Sequence, residues 1–180
     1  MYSIAFTGHR PEKLGGYDWS TPHNRRIGLA IKKAILKEID SIQETNFEFY
    51  FGGALGADQM AFEIVDFIQS KRPDLNIKKI VCVPFKSQPI KWPQKSKEKY
   101  YEQLEKAEEV VYVDTVDGYK LPTIKEGIYH PTKLMRRNVY MVNHCQTLIA
   151  IYNGCNSGGT AQCVEYAKKE NKNLIIIPPN

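Results

Sequence analysis

A chain of 180 residues with 42% apolar and 25% charged residues can build one domain with a real core, and it is too ordinary in composition to be fibrous or disordered. Its formal charge of +5, from 25 basic and 20 acidic residues, suits an anionic small ligand and does not demand nucleic acid. No apolar run approaches the roughly 20 residues needed to cross a bilayer, and Met1-Tyr2-Ser3-Ile4-Ala5-Phe6 lacks the charged start and long apolar stretch of a secretory signal, so a cytoplasmic protein without a membrane partner is expected.

Taken in chain order, short apolar runs alternate with helical patterns. Tyr2 to Phe6 reads as the first strand. Asn24 to Ile42 follows as a helix, with Ile27, Ala30, Ile31, Ala34, Ile35 and Ile39 on one face. Phe47 to Phe51 is the second strand, and Gly56 to Ser70 is a helix with Met60, Ile64, Phe67 and Ile68 at helical spacing. Ile77 to Val83, Val110 to Val113, Thr147 to Tyr152 and Leu174 to Ile177 complete the strands. Ser96 to Ala107, Pro131 to Asn143 and Gly158 to Glu170 complete the helices, Pro131 and Thr132 supplying a start for the fourth. The strand runs are continuous rather than alternating, which marks strands covered on both faces of a parallel sheet. The pattern predicts an α/β fold, Rossmann-like and doubly wound around a mainly parallel sheet, as a single domain over residues 1–180.

Ligands of such sheets bind beyond the carboxyl ends of the strands. Three loops lie there. Thr7-Gly8-His9-Arg10-Pro11 follows the first strand, and Arg10 can clamp a phosphate while His9 can donate to one or act in acid–base work. Gly52-Gly53-Ala54-Leu55-Gly56-Ala57-Asp58 follows the second strand. Its glycines permit close approach of a ligand, and Asp58 can complement the helix dipole or bond a ribose hydroxyl. Asn153-Gly154-Cys155-Asn156-Ser157-Gly158-Gly159-Thr160 follows the fifth strand and is the better phosphate cradle, with Ser157 expected to cap the helix and Thr160 offering a hydroxyl in its first turn. It is neither a P-loop nor a GxGxxG turn. Arg136, Arg137 and Asn138 sit on the helix before that strand. Adjacent helix positions do not share a face, so at most one arginine reaches a ligand, and Arg136 and Asn138 stand as the site candidates. Pro84-Phe85 and Trp92-Pro93 follow the third strand, where an aromatic ring can stack on a base or simply pack. Two aromatic-rich connections, Glu12 to Pro22 and Asp114 to His130, are long enough to fold over the pocket. Cys82, Cys145, Cys155 and Cys163 form no CxxC pair and no metal-site spacing, so reduced thiols partly in the core are expected and no metal site is.

The segments TGHRP.KL (Thr7 to Leu14), GGALGAD (Gly52 to Asp58), RRN..MV (Arg136 to Val142) and IAIYNG..SGGT (Ile149 to Thr160) together resemble the YpsA-like branch of the SLOG superfamily, named for the SMF/DprA and LOG proteins. The resemblance spans nearly the whole chain. It implies a Rossmann-like fold of bacterial or phage origin whose glycine loops bind nucleotides or NAD- and ADP-ribose-like ligands, and which pairs as a homodimer or higher homo-oligomer. LOG-like relatives cleave the N-glycosidic bond of nucleoside monophosphates and carry PGGxGTxxE. This chain has no proline before Gly158-Gly159, places Cys163 where the glutamate stands, and has Glu165 two residues late. Three readings follow. In the leading one the protein is a sensor, regulator or sequestering protein that binds a phosphorylated nucleotide-type ligand, with no cofactor required. In the second it is a nucleotide hydrolase, with Asp58 or Glu165 activating water and His9 as acid. In the third it binds single-stranded nucleic acid, as DprA-like relatives do.

Overall fold

A computed structural model describes residues 1–179. Its six strands are β1 (Tyr2–Gly8), β2 (Asn46–Phe51), β3 (Asn76–Val83), β4 (Glu109–Tyr112), β5 (Thr147–Ile151) and β6 (Asn173–Ile177). They form one sheet in the order β4-β3-β2-β1-β5-β6, and every neighbouring pair is parallel. The helices are α1 (Pro22–Ser41), α2 (Ala57–Lys71), α3 (Gln94–Lys106), α4 (Pro131–Asn143) and α5 (Gly159–Lys169). This is the doubly wound Rossmann-like α/β fold that the sequence pattern predicts, with the sheet wholly rather than mainly parallel.

Two apolar layers flank the sheet. On one face Ile27, Ile31 and Ile35 of α1, Phe62 and Val65 of α2 and Tyr100 of α3 meet Phe6, Phe49, Phe51 and Ile149. The aromatic rings stack along the strands, Phe6 against Phe51 at 5.1 Å between centroids and Phe51 edge-on to Phe62 at 5.0 Å. On the other face Met141 and Val142 of α4 and Cys163 and Ala167 of α5 cover Ala5, Tyr50, Cys82 and Leu148. Burial on both sides explains the continuous apolar runs of β1 and β5. The outer strands β4 and β6 depart from that expectation. Each is partly exposed, because an edge strand has a neighbour on one side only.

Element starts follow capping chemistry. Helix α1 begins two residues before the expected Asn24, because the Thr21 hydroxyl accepts the Asn24 N–H at 3.2 Å and Pro22 occupies the first helical position. Helix α4 starts at Pro131 as expected, its first turn capped by His130 Nδ1, which accepts from Thr132 N at 3.2 Å. Strand β1 runs on to Gly8, so Thr7 and Gly8 pair with Ala150 and Ile151 of β5.

The chain lays β2, β3 and β4 successively to one side of β1, then returns to place β5 on the other. The winding reverses between β1 and β5, which opens a crevice at their carboxyl ends. Because all strands are parallel, the loops after β1, β2 and β5 share that edge. Gly8 sits where they converge. A Cβ there would overlap the Cβ of Ala57 and stand 3.0 Å from the Cβ of Ile151. Gly8→Ala is therefore expected to cost about 1–3 kcal/mol through overpacking, read as a lower urea midpoint at unchanged m-value. A midpoint equal to the parent's would show that α2 and β5 give way freely at this junction.

Candidate functional site

A cleft of 410 Å³ opens at the switch point between β1 and β5. Thr7, Gly8, His9 and Arg10 line it from β1, Ala54 and Asp58 from the loop into α2, Arg137 and Asn138 from α4, and Ser157, Gly158, Gly159 and Thr160 from the loop into α5. Three loops distant in sequence thus contribute to one cavity.

The two glycine loops play different parts. Helix α5 opens on Gly158, at φ 96°, with no side chain capping it. Ser157 does not serve as the expected cap and is exposed instead. No acceptor within the protein takes the N–H groups of Gly159, Thr160 or Ala161 among the described residues, so the positive end of α5 faces the cleft free. The start of α2 is filled by the protein itself. Ala57 N donates to His9 O at 3.2 Å, and Asp58 Oδ2 turns back to accept from Ala54 N at 3.2 Å. Gly56 is pressed on that backbone, since a Cβ there would stand 2.6 Å from His9 O at a φ of 93°. Gly52 and Gly53 are buried and do not line the cleft. These three glycines permit close packing rather than the expected ligand approach.

Gly52 is forced by what lies over it. Arg137 Nη1 donates to Gly52 O, and Arg137 Nε donates to Asn138 Oδ1 at 2.9 Å. A Cβ at position 52 would overlap the guanidinium and stand 2.6 Å from Asp58 Oδ2. Arg137 is 6% exposed and Asp58 is 6% exposed, with Nη1 to Oδ2 at 4.0 Å. Burial pushes the Asp58 carboxyl above the usual carboxylate range, against the pull of Arg137 and the Ala54 N–H. Of the adjacent arginines, the buried one that lines the cleft is Arg137, and Arg136 is exposed and lies outside it. The signal was present in the spacing: Lys133, Arg137 and Met141 fall four apart on the buried face of α4.

Arg10 lines the cleft from the loop after β1, and no carboxylate lies within ion-pair distance of it among the described residues. Much of its surface stays open to solvent, yet desolvation of the guanidinium and repulsion from Arg137 push it below its ordinary value. Two cations thus line the cleft beside free helix N–H groups, a combination with the chemistry to hold an anion. His9 is otherwise engaged. Its Nε2 lies 2.9 Å from Asn153 Oδ1 and 3.2 Å from Asn153 N, tying β1 to the loop after β5. Asn153 and Gly154 support that loop from outside the cleft, and Tyr152 OH donates to Cys155 O within it.

Glu165 is exposed, bonded to Lys168 Nζ at 2.6 Å, and lines a separate shallow depression with Tyr152 and Gln162, away from the cleft. Its place nearly two turns into α5 sets it off the crevice. Cys163, which stands where the hydrolase glutamate is expected, is 1% exposed, and burial pushes its thiol up to about 12. All four cysteines are free thiols, with Cys155 alone partly exposed. Pro84 is buried outside the cleft, while Phe85 lines a neighbouring hollow that shares Arg10 and Leu134 with it. The long connection before α4 borders that hollow through Tyr129. Lys133 Nζ fastens the connection by donating to Asp114 Oδ2 and Lys125 O at 2.8 Å each and to Ile128 O at 3.1 Å.

Fold and site together define a Rossmann-like parallel α/β protein with a cleft at its switch point that is lined by Arg10, Arg137 and the start of α5. The family model described as the YspA SLOG family matches residues 4–177, and the chain belongs to that family. It is 38% identical over 143 residues to the SPbeta prophage-derived protein YoqJ of Bacillus subtilis, covering 78% of this chain and 82% of the relative. It is 30% identical to a UPF0398 protein of Halalkalibacterium halodurans over 100% of this chain and 89% of the relative. A UPF0398 protein of Bacillus cereus is 30% identical over 94% of this chain and 84% of its own length. No helix of the described residues is long and apolar enough to cross a membrane.

The clamp of Arg137 on Gly52 gives a specific expectation. Gly52→Ala should lower stability by about 1–3 kcal/mol, measured by chemical denaturation. Adding Gly52→Ala to Arg137→Ala should cost less than adding it to the parent, because the nearer clash partner is gone and only the Asp58 carboxylate must shift. Equal costs in both backgrounds would mean that the guanidinium does not set the limit at Gly52.

Proposed function

We propose that the switch-point cleft binds the phosphate and sugar of a nucleotide or nucleotide-derived ligand, and that the protein acts by binding rather than by hydrolysis. One observation carries this reading: the uncapped start of α5 faces Arg10 and Arg137 across 410 Å³ of open space. Free N–H groups at a helix start, the dipole behind them and two guanidinium groups are what a phosphoryl group requires. Membership of the SLOG family supports a nucleotide-related ligand. The cleft lining supports binding over cleavage. Its carboxylates are Glu12, bonded to Tyr17, and Asp58, bonded to the Ala54 N–H, while α5 contributes Cys163 beneath the loop in place of a glutamate.

A phosphoribohydrolase is the second reading, and Asp58 is what favours it. A buried carboxyl with a raised pKa at the base of a cleft is a recognised mark of acid–base chemistry. Incubation with AMP, GMP, CMP and UMP, followed by chromatography for free base, separates the two. Slow or no release is expected. Rapid turnover abolished by Asp58→Asn would make the protein an enzyme.

Two substitutions test the binding site itself. Gly159 has a φ open to any residue and no neighbour closer than 4.0 Å to a built Cβ, so Gly159→Asp should fold and place a carboxylate at the anion position. Nucleotide affinity should fall at least about tenfold, equivalent to 1.4 kcal/mol. Arg10→Ala removes a charged hydrogen bond and should cost about 1.5–3 kcal/mol of binding. Calorimetry that finds both variants equal to the parent would remove these residues from the site.

A further inference from the structure

Asp58 stands in the first turn of α2 and lines the cleft, 6% exposed. A carboxylate held out of water stays ionised only when close countercharges or hydrogen bonds replace its hydration. Asp58 receives little of either. Its Oδ2 accepts from Ala54 N at 3.2 Å. Neither arginine of the cleft donates to it among the described residues. Arg137 turns Nη1 to Gly52 O and Nε to Asn138 Oδ1, which leaves Nη1 4.0 Å from Asp58 Oδ2. Arg10 lines the same cleft without forming an ion pair with it.

The charged and titratable groups around Asp58 come from every element packed on it. Arg137 faces it from α4 and Arg10 from the loop after β1. Cys163 of α5 and Cys82 of β3 lie near enough to feel its charge, and burial keeps both thiols protonated. His9 lines the cleft with its Nε2 engaged by Asn153, and Glu12 and Lys13 line it from exposed positions. Asp58 is therefore the buried acid of the cleft, set beside the two cations that an anion would also use. Burial is the largest influence on its carboxyl and lifts it, while Arg137, the Ala54 N–H, Arg10 and the Gly52 N–H pull it down.

We propose that the cleft takes up a proton together with its anion, that the carboxylate of Asp58 receives it, and that anion binding therefore strengthens as pH falls. The inference rests on the phosphate-binding reading above and adds a control to it. An anion at the start of α5 repels a carboxylate in the same cleft, and it draws on the same two guanidinium groups. A proton from solvent converts the Asp58 carboxylate to a neutral carboxyl, which ends the repulsion and leaves both cations to the anion. The direction with pH follows. Below the pKa of Asp58 in the empty protein the proton is already in place, and affinity is highest. As pH rises through that value each anion must bring a proton, and affinity falls by at most about tenfold per pH unit for one proton. Above the pKa in the anion-bound protein the carboxyl stays ionised, and affinity levels off at its lower value. Because burial already lifts this carboxyl, the fall begins above the ordinary carboxylate value of about 4.

The test uses the full chain and inorganic sulfate, a tetrahedral dianion that keeps its charge from mildly acid to mildly alkaline pH, so that any titration belongs to the protein. Sulfate affinity, read by calorimetry, should fall as pH rises and then level off, and Arg10→Ala should weaken it at every pH. Calorimetry of the parent in two buffers of different ionisation enthalpy counts the protons without any variant, and uptake should approach about one where affinity falls most steeply. Asp58→Asn keeps the shape of the side chain and an oxygen for Ala54 N, with no carboxyl to titrate. Its sulfate affinity should be nearly flat with pH and close to the parent's value at the acid limit. Sulfate binding that Arg10→Ala weakens, but that shows neither pH dependence nor proton uptake in the parent, would overturn the proton coupling and leave the anion site standing. A slope in Asp58→Asn as steep as the parent's would assign the proton to another group and overturn the role of Asp58. No sulfate binding at any pH, or binding indifferent to Arg10→Ala, would overturn the phosphate reading and the coupling with it.

Discussion

The arrangement of this site depends on a guanidinium resting on a residue without a side chain. Arg137 reaches from α4 across the end of the sheet to the carbonyl of Gly52, and any Cβ at that position would occupy the same space. The contact joins the helix on one face of the sheet to the loop that starts a helix on the other. It also brings Arg137 to 4.0 Å from Asp58, a distance at which attraction operates without a close hydrogen-bonded pair. Burial works against the Asp58 charge, so the pairing that would quench Arg137 is itself weakened. Arg10 lines the same cleft, close enough for repulsion from Arg137 to help push its guanidinium below its ordinary value.

The same fold gives two similar glycine loops opposite roles. Both follow a buried strand, and both open a helix on a glycine with positive φ and no side-chain cap. What separates them is a backbone oxygen. The carbonyl of His9 takes the Ala57 N–H, so the chain leaving β1 already occupies the start of α2. Nothing among the described residues does this for α5. β1 lies between β2 and β5, and its outgoing loop gives the His9 carbonyl to the start of α2 and the His9 ring to Asn153 in the loop before α5.

This explains what could and could not be read from the amino acids alone. The six strands, five helices and shared edge of the three loops follow from local periodicity and turn residues, and they were legible. Thr7 to Arg10, Ala54, Asp58, Asn138 and Ser157 to Thr160 were all foreseen as site candidates and all line the cleft. The purpose of Gly52, Gly53 and Gly56 was not legible, because a glycine that admits a ligand and one that admits a neighbouring side chain look alike in sequence. The place of Glu165 outside the cleft was not legible, because helical spacing gives a residue's direction only once the neighbouring strand order is known. Arg137 was decidable in principle from its fourfold spacing with Lys133 and Met141, and choosing Arg136 overlooked that face.

The distribution of sulfur along the chain has a practical outcome. Burial raises the thiols of Cys82, Cys145 and Cys163, the latter two to about 11 and about 12, and all three sit under packed helices. Cys155 lies partly exposed in the loop leading to the open start of α5. Electrophilic dyes react with accessible thiolate, so a maleimide fluorophore would attach at one position without any engineering of the chain. The native molecule thus carries its own attachment point for an optical reporter, a few residues from the open start of α5.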